Sequence, residues 1–173
     1  MKDAELLIFP DVPPISNSKL SKDLQSKLVN KTKPIGALGR LENLALRIGL
    51  ILGNKNPELI QPQMLVCAAD HGLTAEGISA YPSDVTWQMV ENFLAGGAAV
   101  SVLSKQNNIS LNVVDCGVRH DFSPQDGLII QKVSNGTANS LYEPAMTNEE
   151  CQQAINNGIN ITHSIEGLSL IHI

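Results

Sequence analysis

The spacing of apolar residues along the chain predicts helices and strands in turn. Two short continuous apolar runs, Met64 to Ala69 and Leu111 to Gly117, are typical of strands buried on both faces of a parallel sheet. A third run, Leu128 to Val133, predicts another strand. Apolar residues at helical spacing mark four further segments, which lie at about 18–30, 40–52, 83–105 and 148–158, the last with a weak continuation to residue 165.

Residues at the ends and in the middle of these segments refine the helix predictions. Ser18 or Ser21 can cap the first helix, and Thr147 can cap the last, with a hydroxyl that accepts a backbone N–H. Gly96 and Gly97 lie inside the 83–105 segment, and each glycine weakens a helix by about 1 kcal/mol. We therefore predict one long helix there, with close packing or a bend at the two glycines.

The order strand, helix, strand predicts the fold class α/β with a parallel sheet, because right-handed βαβ units connect parallel neighbours. Two helices precede the first strand, and they pack either as a small subdomain or against the sheet edge. We therefore divide the chain into an N-terminal helical segment, residues 1–60, and a parallel α/β part, residues 61–173.

Composition excludes several classes of protein. Of the 173 residues, 43% are hydrophobic and 3% aromatic, so a packed core must rest on aliphatic side chains. The formal net charge is −5 and the basic residues are scattered, which argues against a nucleic-acid partner. One small basic cluster, Lys27 to Arg40, fits a solvated helix end and loop better than an anion site. No signal peptide or long apolar helix is visible, so we expect a cytoplasmic protein with no membrane contact.

The three cysteines, Cys67, Cys116 and Cys151, show neither zinc spacing nor a disulfide framework. The four histidines are too dispersed for a ligand cluster, so no metal site is predicted. Because Cys67 and Cys116 lie inside apolar runs, we expect both to be buried as small hydrophobic residues.

Polar residues end both clear strands on their carboxyl side, where open parallel sheets bind ligands. Asp70, His71 and Gly72 follow the first strand, and Asp115 and Cys116 lie at the end of the second. An aspartate and a histidine at that place can orient a ligand or accept a proton. An equally open alternative is that Asp70 caps backbone amides and that His71 is a hydrogen-bonded structural residue.

The loop before the third helix offers a second group of candidate contacts. Tyr81 can stack on a flat heterocycle, and Ser79 and Gln88 can hydrogen-bond to it. Spacing alone favours a simpler interpretation, in which Tyr81 and Pro82 only hold the entry of the helix. No GxGxxG follows a strand and no GxxxxGK[ST] occurs, so neither a dinucleotide site nor a Walker phosphate site is indicated.

A series of motifs in order makes the sequence recognisable. Lys31 to Glu42 reads KTKPIGALGRLE and resembles the TKPxGxLGxLE opening of the nicotinate-nucleotide–dimethylbenzimidazole phosphoribosyltransferase family. Later segments, within residues of about 20 to 160, are similar to that family's pattern in the same order: ADHG at 69–72, EGISAYP at 76–82, VTWQM at 85–89, NF at 92–93 with GGAA at 96–99, VDCGV at 114–118, NGTA at 135–138 and EPAMT at 143–147.

This resemblance implies an enzyme of cobalamin biosynthesis. Members of the family transfer phosphoribose from nicotinate mononucleotide to 5,6-dimethylbenzimidazole, which gives α-ribazole 5′-phosphate and nicotinate. A glutamate acts as general base on the benzimidazole N–H, no metal or redox cofactor is needed, and the enzyme is a homodimer. The implied fold is a Rossmann-like parallel α/β domain with flanking helices and a smaller helical domain.

Carried over residue by residue, the resemblance implies two groups of substrate-binding residues. The residues implied to bind the benzimidazole are Ser79, Tyr81 and Gln88. Those implied to lie at the floor of the site are Asp70, His71 and Gly72. The family's glycine-rich phosphate loop and its general-base glutamate correspond to nothing in these 173 residues, and the ending Glu166 to Ile173 departs from the pattern. We therefore expect the first part of the α/β domain, incomplete at its C-terminus, with no significant turnover alone. The alternative function is a non-catalytic fragment that at most binds an aromatic base.

Overall fold

A computed structural model describes residues 10–165 and 170–172 of the chain. The chain divides into two compact units, Met1–Glu58 and Leu59–Ile173. Residues 10–17, which the sequence predicts to be irregular, contain no helix or strand, whereas residues 1–9 lie outside the described part.

The first unit contains helices α1, Ser18–Val29, and α2, Arg40–Ile51, which pack against each other. The side chain of Asn17 caps α1 by accepting the N–H of Leu20 at 3.0 Å. The predicted caps, Ser18 and Ser21, are therefore wrong, because a cap needs extended backbone just before the first helical residue. Leu24 on α1 lies so close to Gly49 on α2 that a Cβ at Gly49 would approach its methyl groups to 2.7 Å.

An ion pair holds the loop between the two helices. Lys33 lies in this loop, and its Nζ is 2.8 Å from Oε1 of Glu42, in the first turn of α2. The same oxygen accepts the backbone N–H of Leu38 at 3.2 Å. A carboxylate at a helix N-terminus also interacts favourably with the helix dipole. Glu42 therefore fixes both the loop and the start of α2.

The second unit is built on a four-stranded sheet in which all paired strands are parallel. The strands are β1, Gln63–Ala69, β2, Ser110–Gly117, β3, Leu128–Ile130, and β4, Leu170–His172, in the spatial order β3-β2-β1-β4. The predicted α/β class and parallel sheet are confirmed. β3 is shorter than the predicted 128–133 segment. Residues 131 and 133 each donate one backbone hydrogen bond to β2, but only residues 128–130 pair with β2 in regular register.

Helices flank this sheet: α3, Asp84–Leu94, α4, Ala99–Gln106, and α5, Asn148–Ser164, together with a short 3₁₀ helix at Gly72–Glu76. The prediction of one continuous helix over residues 83–105 is wrong. Gly96 adopts a left-handed conformation with φ of +80°, which ends α3, and Ala98 is extended before α4 starts. The predicted cap of α5 is confirmed, since the Thr147 hydroxyl accepts the Glu150 N–H at 3.1 Å within a complete capping box.

The hydrophobic core lies on both faces of the sheet. Val113 and Val114 are consecutive on β2 and point to opposite faces, and neither is more than 1% exposed. Val113 packs with Val90 of α3, whereas Val114 packs with Leu65 and with Ile161 of α5. The sheet is therefore covered by α3 on one side and by α5 on the other, as parallel sheets require. In the described ranges no helix combines the length and apolar character needed to cross a membrane.

The Lys33–Glu42 pair predicts how the stability of the helical unit depends on pH. The hydrogen bond from Lys33, and then the N–H of Leu38, hold the pKa of Glu42 below its ordinary value of 4.5. Because the folded-state pKa is the lower one, the pair stabilises fully above pH 4.5, and its contribution is lost as the pH falls through the folded-state pKa. In urea unfolding from neutral to acidic pH, we expect the difference between the wild type and Glu42→Gln to shrink below that value.

A matched control is available in the same unit. Glu58 is exposed, and Glu58→Gln should stay within about 0.5 kcal/mol of the wild type at neutral pH. A Glu42→Gln difference that is constant across the acidic range would show that the ion pair does not contribute.

Candidate functional site

Asp70 joins four parts of the chain at the carboxyl end of β1. Its carboxylate, 3% exposed, accepts the hydroxyl of Thr86 on α3 at 2.7 Å and the backbone N–H of Arg119 at 2.8 Å. The Asp70 N–H donates to the carbonyl of Gly117, and its carbonyl accepts the N–H of Thr137, both at 3.0 Å. These contacts favour the interpretation in which Asp70 caps amides and positions the surrounding segments.

Gly72 allows the segment 134–138 to pass directly beneath the end of β1. Its N–H donates to the carbonyl of Thr137 at 3.1 Å, and a Cβ at this position would lie 2.6 Å from backbone atoms of Ala138 and Asn139. The glycine is therefore required by close approach of two backbones. It is a packing residue, and it does not line the cavity described next.

A cavity of about 420 Å³ lies between β1 and α3, beside Asp70. Its walls combine the carboxyl half of β1 with one face of α3 and the loop that connects them. The lining residues are Val66, Cys67, Ala68, Ala69, Asp70, His71, Thr74, Ser79, Tyr81, Pro82, Ser83, Val85, Thr86, Met89, Val90 and Phe93. The volume falls in the range of small-molecule sites, about 300–1,000 Å³, and the lining is mostly apolar.

Most polar side chains in this lining already have partners within the protein. The Thr74 hydroxyl donates to the carbonyl of His71 and lies 3.0 Å from the Ser83 hydroxyl. Thr86 donates to Asp70. The cavity wall is therefore apolar in effect, and its polar contacts are concentrated at the mouth, where Ser79 and Tyr81 are exposed.

The structure brings four of the six predicted site residues to the cavity and leaves out two. Asp70, His71, Ser79 and Tyr81 line it, whereas Gly72 and Gln88 do not. Gln88 is exposed on α3, adjacent to the face that lines the cavity. Sequence reasoning did not select Val85, Met89 and Phe93 as site residues, although their i, i+4 spacing places them on one helical face.

At the end of β2, as at the end of β1, a buried aspartate binds backbone N–H groups. The buried Asp115 accepts the N–H groups of Gly117 and Val118 with one oxygen, and its other oxygen lies 3.7 Å from Nζ of Lys132. Nearby, the ring of His120 stacks on Trp87 with a centroid distance of 4.9 Å. Among the described residues, no group of three or more His, Cys, Asp or Glu side chains is arranged to hold a metal ion.

Comparison with known proteins identifies the chain's relatives. A family model described as phosphoribosyltransferase matches residues 13–173. The chain belongs to the phosphoribosyltransferase family. It is 60% identical over 163 residues to the nicotinate-nucleotide–dimethylbenzimidazole phosphoribosyltransferase of Variovorax paradoxus (strain S110), covering 94% of this chain and 47% of that protein. It is 55% identical to the enzyme of the same name from Dechloromonas aromatica (strain RCB), covering 87% and 43% respectively.

A solved structure agrees with this family assignment. The nicotinate-nucleotide–dimethylbenzimidazole phosphoribosyltransferase from Thermus thermophilus superimposes with a TM-score of 0.80 at 38% identity, covering 91% of this chain and 48% of that one. The resemblance stated from the sequence motifs is therefore confirmed. The chain spans about half the length of the relatives it matches.

Replacing Asp70 tests its role as the residue that joins these segments. Asp70→Ala removes the acceptor of the Arg119 N–H and of the Thr86 hydroxyl, and we expect the free energy of unfolding to fall by about 1–3 kcal/mol. Asp126 is exposed, and Asp126→Ala should stay within about 0.5 kcal/mol of the wild type. Equal effects of the two substitutions in urea denaturation would contradict the assignment.

Two glycine substitutions test the close approach at Gly72. A Cβ at Gly72 meets backbone 2.6 Å away, so Gly72→Ala should lower the free energy of unfolding by about 1–3 kcal/mol. Gly158, inside α5, has open space where its Cβ would be, and Gly158→Ala should stabilise the protein by up to about 1 kcal/mol. Chemical denaturation of both variants measures the contrast, and a neutral Gly72→Ala would show that segment 134–138 yields easily.

Proposed function

We propose that this chain supplies the base-binding side of an enzyme that moves phosphoribose from nicotinate mononucleotide to 5,6-dimethylbenzimidazole. The products are α-ribazole 5′-phosphate and nicotinate, in cobalamin biosynthesis. The full-length enzyme acts in the cytoplasm as a homodimer. The observation that carries the proposal is the apolar cavity of about 420 Å³ at the carboxyl end of β1, in a chain of this family.

The shape and chemistry of the cavity support a flat aromatic base as its ligand. Val85, Met89 and Phe93 form an apolar wall on α3, which suits the face and methyl groups of a benzimidazole. Tyr81 is 69% exposed at the mouth, where its ring can cover a bound base. The Ser79 hydroxyl accepts the N–H of Tyr81 at 3.2 Å, and its own proton stays available to a ring nitrogen.

The reaction then needs a group that removes the proton of the benzimidazole N–H as the other ring nitrogen attacks the anomeric carbon. Asp70 is the only carboxylate among the described residues that line the cavity, and both of its oxygens already accept protein donors. This observation favours the second candidate function, in which these 173 residues bind the base without turning it over. A general base typically contributes about 10²–10⁴-fold in rate.

Two measurements on the 173-residue chain separate these functions. Calorimetric titration with 5,6-dimethylbenzimidazole should detect binding. The absence of binding would contradict both the transferase function and the base-binding function. Incubation with the base and nicotinate mononucleotide then tests for α-ribazole 5′-phosphate. Product would support the transferase function of this chain, and binding without product would support the base-binding function.

The two tyrosines offer a matched pair of variants. Tyr81 lines the cavity, whereas Tyr142 is similarly exposed, at 74%, and does not line it. Loss of aromatic contact with the base is expected to raise the Kd of Tyr81→Ala by roughly 2- to 12-fold, which corresponds to about 0.5–1.5 kcal/mol. Tyr142→Ala should bind as the wild type does, and equal effects of both substitutions would place the base elsewhere.

A further inference from the structure

Cys67 and Cys116 lie on neighbouring strands and face the same side of the sheet. Cys67 on β1 pairs in register with Val114 on β2, and the register then shifts so that Ala69 pairs with Gly117. This shift leaves Cys116 as the extra residue of β2, diagonal to Cys67. Both side chains line a second cavity of about 200 Å³ between the sheet and α5. The expectation that both cysteines are buried is wrong, since Cys67 is exposed and Cys116 is half-buried.

The two thiols interact directly, and they are chemically unequal. The hydrogen bond with Cys67, burial, and negative charge at Cys67 and Asp115 raise the pKa of the Cys116 thiol well above its ordinary value of 9.0. Cys116 therefore holds its proton more tightly than an ordinary thiol, and a thiol that donates to a neighbouring sulfur stabilises negative charge there. An exposed cysteine beside a protonated second thiol is the arrangement of a reacting and a resolving cysteine.

We propose that Cys67 and Cys116 form a redox-responsive pair, which a hydroperoxide converts into a disulfide between β1 and β2. The Cys67 thiolate attacks the peroxide oxygen, the O–O bond breaks, and the Cys67 sulfur becomes a sulfenic acid as the peroxide leaves as water or an alcohol. The neutral sulfenic acid no longer carries the negative charge that holds the Cys116 proton, so Cys116 can give up this proton to the leaving hydroxide as its sulfur attacks that of Cys67. This step releases water and forms the S–S bond. The two cysteines lose two electrons, and the peroxide gains them.

The contact between the two thiols and the β2 bulge make this bond feasible. Diagonal neighbours on adjacent strands lie about 7–8 Å apart and disulfides join Cα atoms separated by about 4.4–6.8 Å, so the bond needs the bulge to bring Cys116 closer to Cys67 than a regular ladder would. Cys151 offers an internal comparison, because it is exposed on α5 but lines neither cavity. Exposure alone therefore predicts reaction at both Cys67 and Cys151, whereas the thiol pair predicts a specific disulfide.

Cys67 also lines the larger cavity beside α3, so the pair connects oxidation to the candidate base site. The Cys67 side chain faces α5, on the other side of the sheet from this cavity, so the bond to Cys116 changes the cavity wall through a shift of the β1 backbone. This consequence rests on the proposed function, whereas formation of the disulfide does not. We expect the oxidised chain to bind 5,6-dimethylbenzimidazole several-fold more weakly than the reduced chain.

The sequence makes the disulfide simple to detect. Tryptic cleavage after Lys55, Lys105, Arg119 and Lys132 puts each cysteine on a separate peptide. The folded chain is treated with hydrogen peroxide, remaining thiols are blocked, and the unreduced digest is analysed by mass spectrometry. We expect a linked pair of peptides, 56–105 with 106–119, which separates on reduction.

Cysteine variants test each step. In Cys116→Ser, Cys67 should accumulate as a sulfenic acid that dimedone traps, and Cys151→Ser should form the disulfide as the wild type does. Iodoacetamide should label Cys67 roughly tenfold or more faster than Cys116 in the reduced chain. Circular dichroism before oxidation verifies that each variant is folded.

Three results would overturn the proposal: a disulfide that involves Cys151, further oxidation of Cys67 in the folded wild type without any disulfide, or faster labelling of Cys116 than of Cys67. Base binding is read separately by calorimetry. If the disulfide forms but the reduced chain binds no base, the proposed function fails and the redox pair stands. If the reduced chain binds base and no disulfide forms, the reverse holds.

Discussion

The buried carboxylate of Asp70 is the constraint on which the carboxyl edge of the sheet depends. It accepts hydrogen bonds from Thr86 on α3 and from the N–H of Arg119 after β2, and its backbone bonds to Gly117 and Thr137. Burying a carboxylate is costly unless its oxygens find donors, so the charge selects the one arrangement in which all these segments meet. This side chain fixes the beginning of α3 against the end of β1, while packing of Val90 with Val113 holds the rest of the helix on the sheet.

The shape of the cavity follows in turn. Because Thr86 holds the beginning of α3 against the end of β1, the apolar face with Met89 and Phe93 is held open beside the strand. Most polar side chains in the wall have partners within the protein, so the mouth around Tyr81 is where a ligand finds polar contacts. A site formed in advance by the fold costs little conformational entropy when a rigid planar ligand enters.

Apolar spacing predicted β1, β2, the position of β3 and most helices correctly, because burial of β1 and β2 leaves a continuous apolar run in the sequence itself. It did not predict β4, Leu170–His172. It failed where one backbone conformation decides the outcome, as at Gly96, whose positive φ divides a predicted helix in two. It also could not give side-chain direction. Cys67 lies in an apolar strand yet is exposed, and Gln88 lies beside the cavity-lining face of α3, because packing among distant segments decides which side each residue presents.

The contacts of Asp70 also set an order of assembly during synthesis. Thr86, Arg119 and Thr137 follow it along the chain in that sequence, so a polypeptide emerging from the ribosome acquires them one at a time. β1 and α3 emerge first, with the carboxylate still hydrated and β1 still without its neighbour β2. The last contact forms only after residue 137 has been released, which makes the support beneath the end of β1 a late product of folding, although the residues that line the cavity are all synthesised early.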